Sequence, residues 1–147
     1  MFEKKLKAIR EYRKNIMDIA FNEVLDNEDI IVELITEEQL YEKGIRGDEV
    51  EIADFSPYSP YTVMMKQMRG QPTDRVTLRD TGDYHKSFYI KIGPNYFEVM
   101  ASDSKTEELV KEYGEEIMQF TEENVNEIIW SYIYPQLLKK FNEALAK

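Results

Sequence analysis

The sequence predicts an α+β fold, on three observations. A stripe of helical period runs through the first 26 residues, two alternating segments flank Gly93-Pro94-Asn95, and helical patterning returns over residues 104–147. At 147 residues the chain has the size of one domain and is long enough to bury about two-thirds of its unfolded surface. Helices and short antiparallel strands follow one another without a βαβ rhythm, and neither an internal repeat nor a low-complexity segment breaks the order.

Phe2, Leu6, Ile9, Ile16, Ala20 and Val24 recur at three, four or seven residues and draw a long N-terminal helix over 1–26. Asn27-Glu28-Asp29 interrupts it. The apolar run over 30–35 suits a buried strand or a helical turn equally, because periodicity does not separate the two in so short a stretch. Thr36-Glu37-Glu38-Gln39 has the spacing of a capping box, which predicts a short helix from Glu37 to Lys43 stopped by Gly44. A turn over 44–48 then leads to Glu49-Val50-Glu51-Ile52-Ala53, which alternates as an edge strand does.

Pro57 and Pro60 fix their own φ and push the residues before them out of helical geometry, so Pro57, Tyr58, Pro60 and Tyr61 read as an ordered loop and a candidate interaction segment. Val63, Met64, Met65 and Met68 belong to a short helix over 62–69 that ends at Gly70. Core packing is the ordinary reason for such a cluster, and an adaptable Met and Tyr surface is the alternative. Phe88, Ile90 and Ile92 face one way and Tyr89 and Lys91 the other; Phe97, Val99 and Ala101 resume the alternation, giving a central hairpin with one buried face.

Ser104-Lys105-Thr106-Glu107 is a second capping-box pattern, opening a helix in which Leu109, Tyr113 and Ile117 stack to about Met118. Thr121 is placed to cap the last helix, with Glu122 and Glu123 favoured in its first turn by the helix dipole. Pro135 is expected to kink or divide that helix.

Composition excludes several function classes. Twenty-nine acidic residues against nineteen basic ones, a formal charge of −10, disfavour sequence-specific nucleic-acid binding. The one concentrated basic stretch, Lys4, Lys5, Lys7, Arg10, Arg13 and Lys14, is interleaved with Glu3 and Glu11 and reads as a solvated helix face. The absence of cysteine removes disulfides and thiolate chemistry and fits a reducing cytoplasm. Neither a signal-peptide core nor a run of about 18 apolar residues is present, so the chain is expected to be made in the cytoplasm, not secreted, and without a membrane partner.

Candidate chemistry is sparse. The single histidine, His85, stands two residues from Ser87, a spacing that puts two side chains on different sides of a helix and about 7 Å apart along a strand, beyond hydrogen-bond reach, and no nucleophile-elbow pattern surrounds it. Glu98 with Asp103-Ser104-Lys105 is similar to the acid-x-Lys signature of metal-dependent nucleases, but roughly two or three acid-x-Lys triplets arise by chance in so acidic a chain. Asp80 and Asp83 supply too few oxygens for a calcium loop, and Asp80 reads as the cap of the turn starting at Thr81. The expectation is a non-enzymatic protein without a cofactor or metal.

Read in order, the chain presents Leu40-Tyr41 with Gly44, Tyr58-Ser59, Lys66 and Gly70. Thr77-Leu78-Arg79-Asp80-Thr81-Gly82 with Ser87-Phe88 follows, then Leu109, Tyr113-Gly114 and Phe120-Thr121-Glu122-Glu123-Asn124. Over about residues 36 to 130 this series resembles small structural proteins of tailed phages, of the tail-completion, head–tail connector (neck) and virion-morphogenesis type. In that family a Leu-x-x-Thr-Gly-x-hydrophobic-x-x-Ser segment precedes a hairpin; this chain has Asp83-Tyr84 where an aliphatic residue often follows the Thr-Gly pair. The resemblance implies a virion location at the neck, a homo-oligomeric ring, and partners among the connector or adaptor, tail tube and terminator proteins. It makes Leu78, Thr81, Gly82, Ser87 and Gly114 structural landmarks of the fold. The long first helix and the hairpin edge are the elements expected to reach a neighbouring subunit. Two alternatives are a small acidic phage-encoded protein that binds or inhibits a host protein and, more remotely, a metal-dependent nuclease.

Overall fold

The computed structural model describes residues 1–146 and is α+β: a long N-terminal helix, a two-stranded antiparallel hairpin and C-terminal helices. Helix α1 (Phe2–Asp26) closes at Asn27, whose side-chain amide donates to the Glu23 carbonyl at 2.8 Å, and α2 (Glu28–Glu33) starts immediately. The apolar run 30–35 is therefore helical, with Ile31 and Ile35 fully buried. It continues into a wide, π-helical stretch, Leu34–Lys43, that ends at Gly44 in the left-handed conformation (φ 62°).

Several expectations are corrected. Thr36 is not a cap: it lies inside the continuous helical path and its hydroxyl donates to the Val32 carbonyl at 3.2 Å. Gln39, expected to serve an exposed helix start, is 1% exposed. Residues 49–53 form no strand. Glu49 adopts φ 67°, which ends any extended run, leaving a single Ile45–Glu51 bridge and a 3₁₀ turn over Ile52–Asp54. Helix α3 (Pro60–Met68) starts two residues earlier than predicted. The Ser59 hydroxyl accepts from the Thr62 N–H at 3.1 Å and Pro60 occupies the first turn, where its missing N–H costs nothing.

The one-turn helix α4 (Asp83–Lys86) feeds β1 (Phe88–Ile92), which pairs with β2 (Phe97–Ala101) in the register Phe88–Ala101 to Ile92–Phe97. The predicted second capping box does not form. Helix α5 (Thr106–Tyr113) has no side-chain cap from Ser104; the Asp103 carboxylate instead accepts the Lys105 N–H at 3.0 Å. The stack from Leu109 through Ile117 is also broken, because Gly114 (φ 93°, ψ 158°) stops α5 and a 3₁₀ turn covers Glu115–Met118. Thr121 does cap α6 (Glu122–Glu127), accepting from the Asn124 N–H.

Pro135 does not divide the final helix. A π-helical turn over Ile128–Ile133 precedes it and α7 (Tyr134–Ala146) runs on. The wider turn makes room for the ring and moves hydrogen bonding off the position where proline has no donor.

Two apolar clusters meet at the hairpin. Ile35, Leu40, Ile52, Val76, Tyr84, Phe88, Val99, Tyr113 and Ile117 form one. Val24, Ile31, Ile90, Ile128 and Ile133 form the other. Successive inward residues of β1, Phe88 and Ile90, thus belong to different clusters. The outer edge of β1 is closed by α2, where the Glu28 carboxylate accepts the Ile90 N–H at 2.9 Å. Since Ile90 points its N–H away from β2, its partner Val99 points away from β1. Along this second edge no hydrogen bond reaches the backbone of Phe97, Val99 or Ala101 among the described residues.

Candidate functional site

The segment from Val76 to Ser87 builds a corner between α3, the π-helical stretch and the hairpin. Val76 and Thr77 are about 1% exposed, and Leu78 then adopts φ 54°, a left-handed conformation that a bulky side chain resists by roughly 1 to 2 kcal/mol. The reversal points the backbone of Arg79 toward α3, where Lys66, 6% exposed, donates its ammonium to the Arg79 carbonyl at 2.9 Å and to the Gln71 amide oxygen at 3.3 Å. The same ammonium lies 4.9 Å from the centre of the Tyr58 ring. Tyr58 is held in turn by its hydroxyl, which accepts the Thr77 N–H at 3.0 Å.

On the other side of the corner the Arg79 guanidinium pairs with Glu37 at 2.6 Å and stacks over Tyr41 at 4.1 Å. It also donates to Nδ1 of His85 at 2.9 Å. The opposite nitrogen of His85, Nε2, lies 2.9 Å from the Thr77 carbonyl. A neutral ring with its proton on Nε2 satisfies both contacts. Protonating Nδ1 would aim an N–H at a guanidinium. Burial first, and the Arg79 charge second, accordingly push His85 down from 6.5 to about 4. Burial likewise pushes the Tyr84 phenol up.

This geometry sets a pH dependence. The unfolded histidine takes up its proton near pH 6.5 and the folded one only near pH 4, so stability is complete above about pH 7 and is lost as pH falls between those values. Going from pH 8 to pH 5, the wild type should lose about 2 kcal/mol through this group. Urea titrations of His85→Gln should lack that component; identical pH profiles for the two proteins would show that His85 is not held neutral.

The sequence-predicted residues have separate fates. Leu78, Thr81, Gly82 and Ser87 lie together on the corner. The Thr81 hydroxyl accepts the Asp83 N–H at 3.3 Å, Gly82 takes φ 90° ahead of α4, and the Ser87 hydroxyl donates to the Tyr84 carbonyl at 2.7 Å. Asp80 does not cap the turn; it pairs with Arg69 at 2.7 Å. Gly114 stands apart, at the end of α5 beside Arg46. Of the predicted interaction loop, Tyr58 is committed to the corner, while Tyr61 is 67% exposed and lines up with Met64 and Met68 at helical spacing on the outer face of α3. Core packing thus does not account for those two methionines.

Neither nitrogen of His85 bonds Ser87, whose hydroxyl serves a backbone carbonyl. Among the described residues no group of three or more His, Asp or Glu side chains is gathered to hold a metal, and Glu98 and Asp103 are not brought into one. No helix among them is long and apolar enough to cross a membrane. A cleft of about 200 Å³ opens between Tyr58, Lys66, Thr81 and Lys105; Lys66 and Tyr58 are turned to the Arg79 carbonyl and the Thr77 N–H. No protein-family model, curated protein or solved structure matches the chain.

Sequence reasoning missed the network joining Lys66, Arg79, His85 and Glu37. Arg79 and His85 sit inside the singled-out motif, so their spacing of six was visible. The burial of Lys66 had no local signal, since a lysine among methionines on a short helix ordinarily faces water.

Proposed function

We propose that the chain is a non-enzymatic structural component of a tailed-phage particle, of the head–tail connector or tail-completion type, assembling as a ring at the neck. The observation that carries this reading is the Thr77-to-Ser87 corner. The residues through which the chain resembles that family are spent on shaping backbone, with the Leu78 and Gly82 conformations and the Thr81 and Ser87 hydroxyls all serving local geometry. A rigid corner of this kind sets the angle between α3 and the hairpin. The β2 edge of the hairpin carries no backbone hydrogen bond among the described residues; Val99 at its centre is buried, so only the partly exposed ends at Phe97 and Ala101 are within reach of a neighbour.

A second reading, a small acidic phage-encoded protein that binds a host protein, draws support from a ridge of Glu33, Glu37, Glu38 and Glu42 along the second helical segment. Light scattering across concentration separates the two. Assembly into a closed multiple of 17.5 kDa is the result expected of a neck component, and a strict monomer at high concentration favours the host-binding reading.

A further inference from the structure

Charge along this chain is segregated in space. Helices α1 and α7 run antiparallel as an arm, fixed by the Tyr12 hydroxyl on the Leu137 carbonyl at 2.7 Å, by Lys5 on the Leu145 carbonyl at 3.3 Å, and by an edge-on contact of Tyr12 with Phe141. Residues 1–14 and 136–146, the outer part of the arm, carry eight lysines and arginines against three acids, whereas residues 15–135 carry ten against twenty-six. No salt bridge among the described residues engages the arm's basic groups. A cleft of about 450 Å³ runs along one flank of the seam, with the partly buried Ala8, Ile19 and Ala144 on its floor and Lys4, Lys7 and Lys140 on its rim against a single acid, Glu11.

The complementary surface lies on the same molecule. Val125, Ile129, Trp130, Tyr134 and Leu138 make an exposed apolar stripe from α6 into α7, with Trp130 61% exposed and its ring 5.2 Å from Tyr134. Exposed Glu122, Glu123 and Glu127 flank its start. The stripe is apolar and acidic where the cleft is apolar and basic. On α7 the cleft residues Lys140 and Ala144 occupy a different flank from Tyr134 and Leu138, so one copy presents both surfaces at once. A nucleic acid would match the lysines but not the apolar floor.

We propose that the basic cleft of the α1/α7 arm docks onto the acidic, Trp130-centred stripe of a second copy of this chain. This rests on the ring-forming reading above and names the surfaces that close the ring. The contact is head to tail, each copy giving its arm to one neighbour and its stripe to the other, which is the arrangement that generates rings. Opposite charge steers the encounter and makes it salt-sensitive, and the tryptophan supplies the buried anchor.

The test uses the full chain, a Lys4→Glu/Lys7→Glu/Lys140→Glu arm variant and a Trp130→Glu stripe variant, all checked for unchanged helical circular dichroism and compared by light scattering at low and high salt. Wild type should exceed 17.5 kDa and shrink as salt rises, and each variant should associate roughly tenfold or more weakly. Mixed in equal amounts, the variants should give a one-to-one dimer and nothing larger, because only one intact cleft and one intact stripe remain to meet. A wild type that assembles while both variants assemble equally well overturns the proposed surface and leaves the ring reading standing. A wild type that stays monomeric overturns both. Duplex DNA bound by a monomeric wild type and released by the arm substitutions would assign the arm to nucleic acid and likewise overturn the proposal.

Discussion

Gly114→Ala should destabilise the fold by about 3 kcal/mol, lowering the melting temperature by roughly 10 °C. At φ 93° and ψ 158° the residue occupies a region that only glycine enters freely. The space is also taken: an added Cβ would lie 2.5 Å from a Glu116 carboxylate oxygen and 2.7 Å from a guanidinium nitrogen of Arg46. Glu116 can swing away, but Arg46 cannot do so freely. It is 8% exposed, paired with Asp48, bonded to the Tyr113 carbonyl at 3.0 Å and stacked 4.0 Å over Phe55. Moving it loosens the turn after Gly44 from the segment after α5. Gly70 provides the control, since it has φ 69° with nothing within 4 Å of an added Cβ, and Gly70→Ala should cost only about 1 to 2 kcal/mol. Equal losses at the two positions, measured by thermal and urea unfolding, would show that Arg46 is not the reason Gly114 matters.

Gln39→Leu should cost on the order of 3 kcal/mol although it removes little volume. The Gln39 amide donates to the Gln119 carbonyl at 2.9 Å and accepts from the Thr121 N–H at 2.9 Å and the Asn124 amide at 2.7 Å. Asn124 also reaches the Leu34 carbonyl at 3.2 Å. This network ties the π-helical stretch to the cap of α6. A leucine in its place leaves the buried Thr121 N–H without a partner, strips the Gln119 carbonyl of its donor and leaves the Asn124 amide with the Leu34 carbonyl alone, losses worth about 1 to 3 kcal/mol each where the group stays buried. Adding Asn124→Leu should cost less than it does alone, because the two side chains act as a unit. A loss below about 1 kcal/mol for Gln39→Leu would contradict the cross-brace.

Elements encoded by neighbours in sequence were legible, and those decided by distant partners were not. The alternation about Gly93-Pro94-Asn95, the Thr121 cap and the Gly44 stop each depend on residues within a few positions, and the structure keeps all three. Gln39 matched a capping pattern, yet burial against residues 119–124 claimed its amide instead. The stripe on α1 was read correctly as a helix but incompletely as a face. Val24 is buried, while Phe2 and Ile9 stay exposed because the outer arm has only α7 beside it. At the corner, the Thr-Gly pair announced a turn, but the left-handed Leu78 had no cue of its own, since leucine is among the last residues expected there. The charge-bearing partners of the corner, Lys66 and Glu37, lie on separate helices that only the fold brings together.

The central claim, a structural role in the particle, is tested most directly by quantitative mass spectrometry of gradient-purified tailed particles made from the genome that encodes this chain. The account predicts the protein in the particle fraction at a fixed copy number relative to the tail proteins. Recovery of the protein entirely in the soluble fraction, with complete and infectious particles that lack it, would contradict the account.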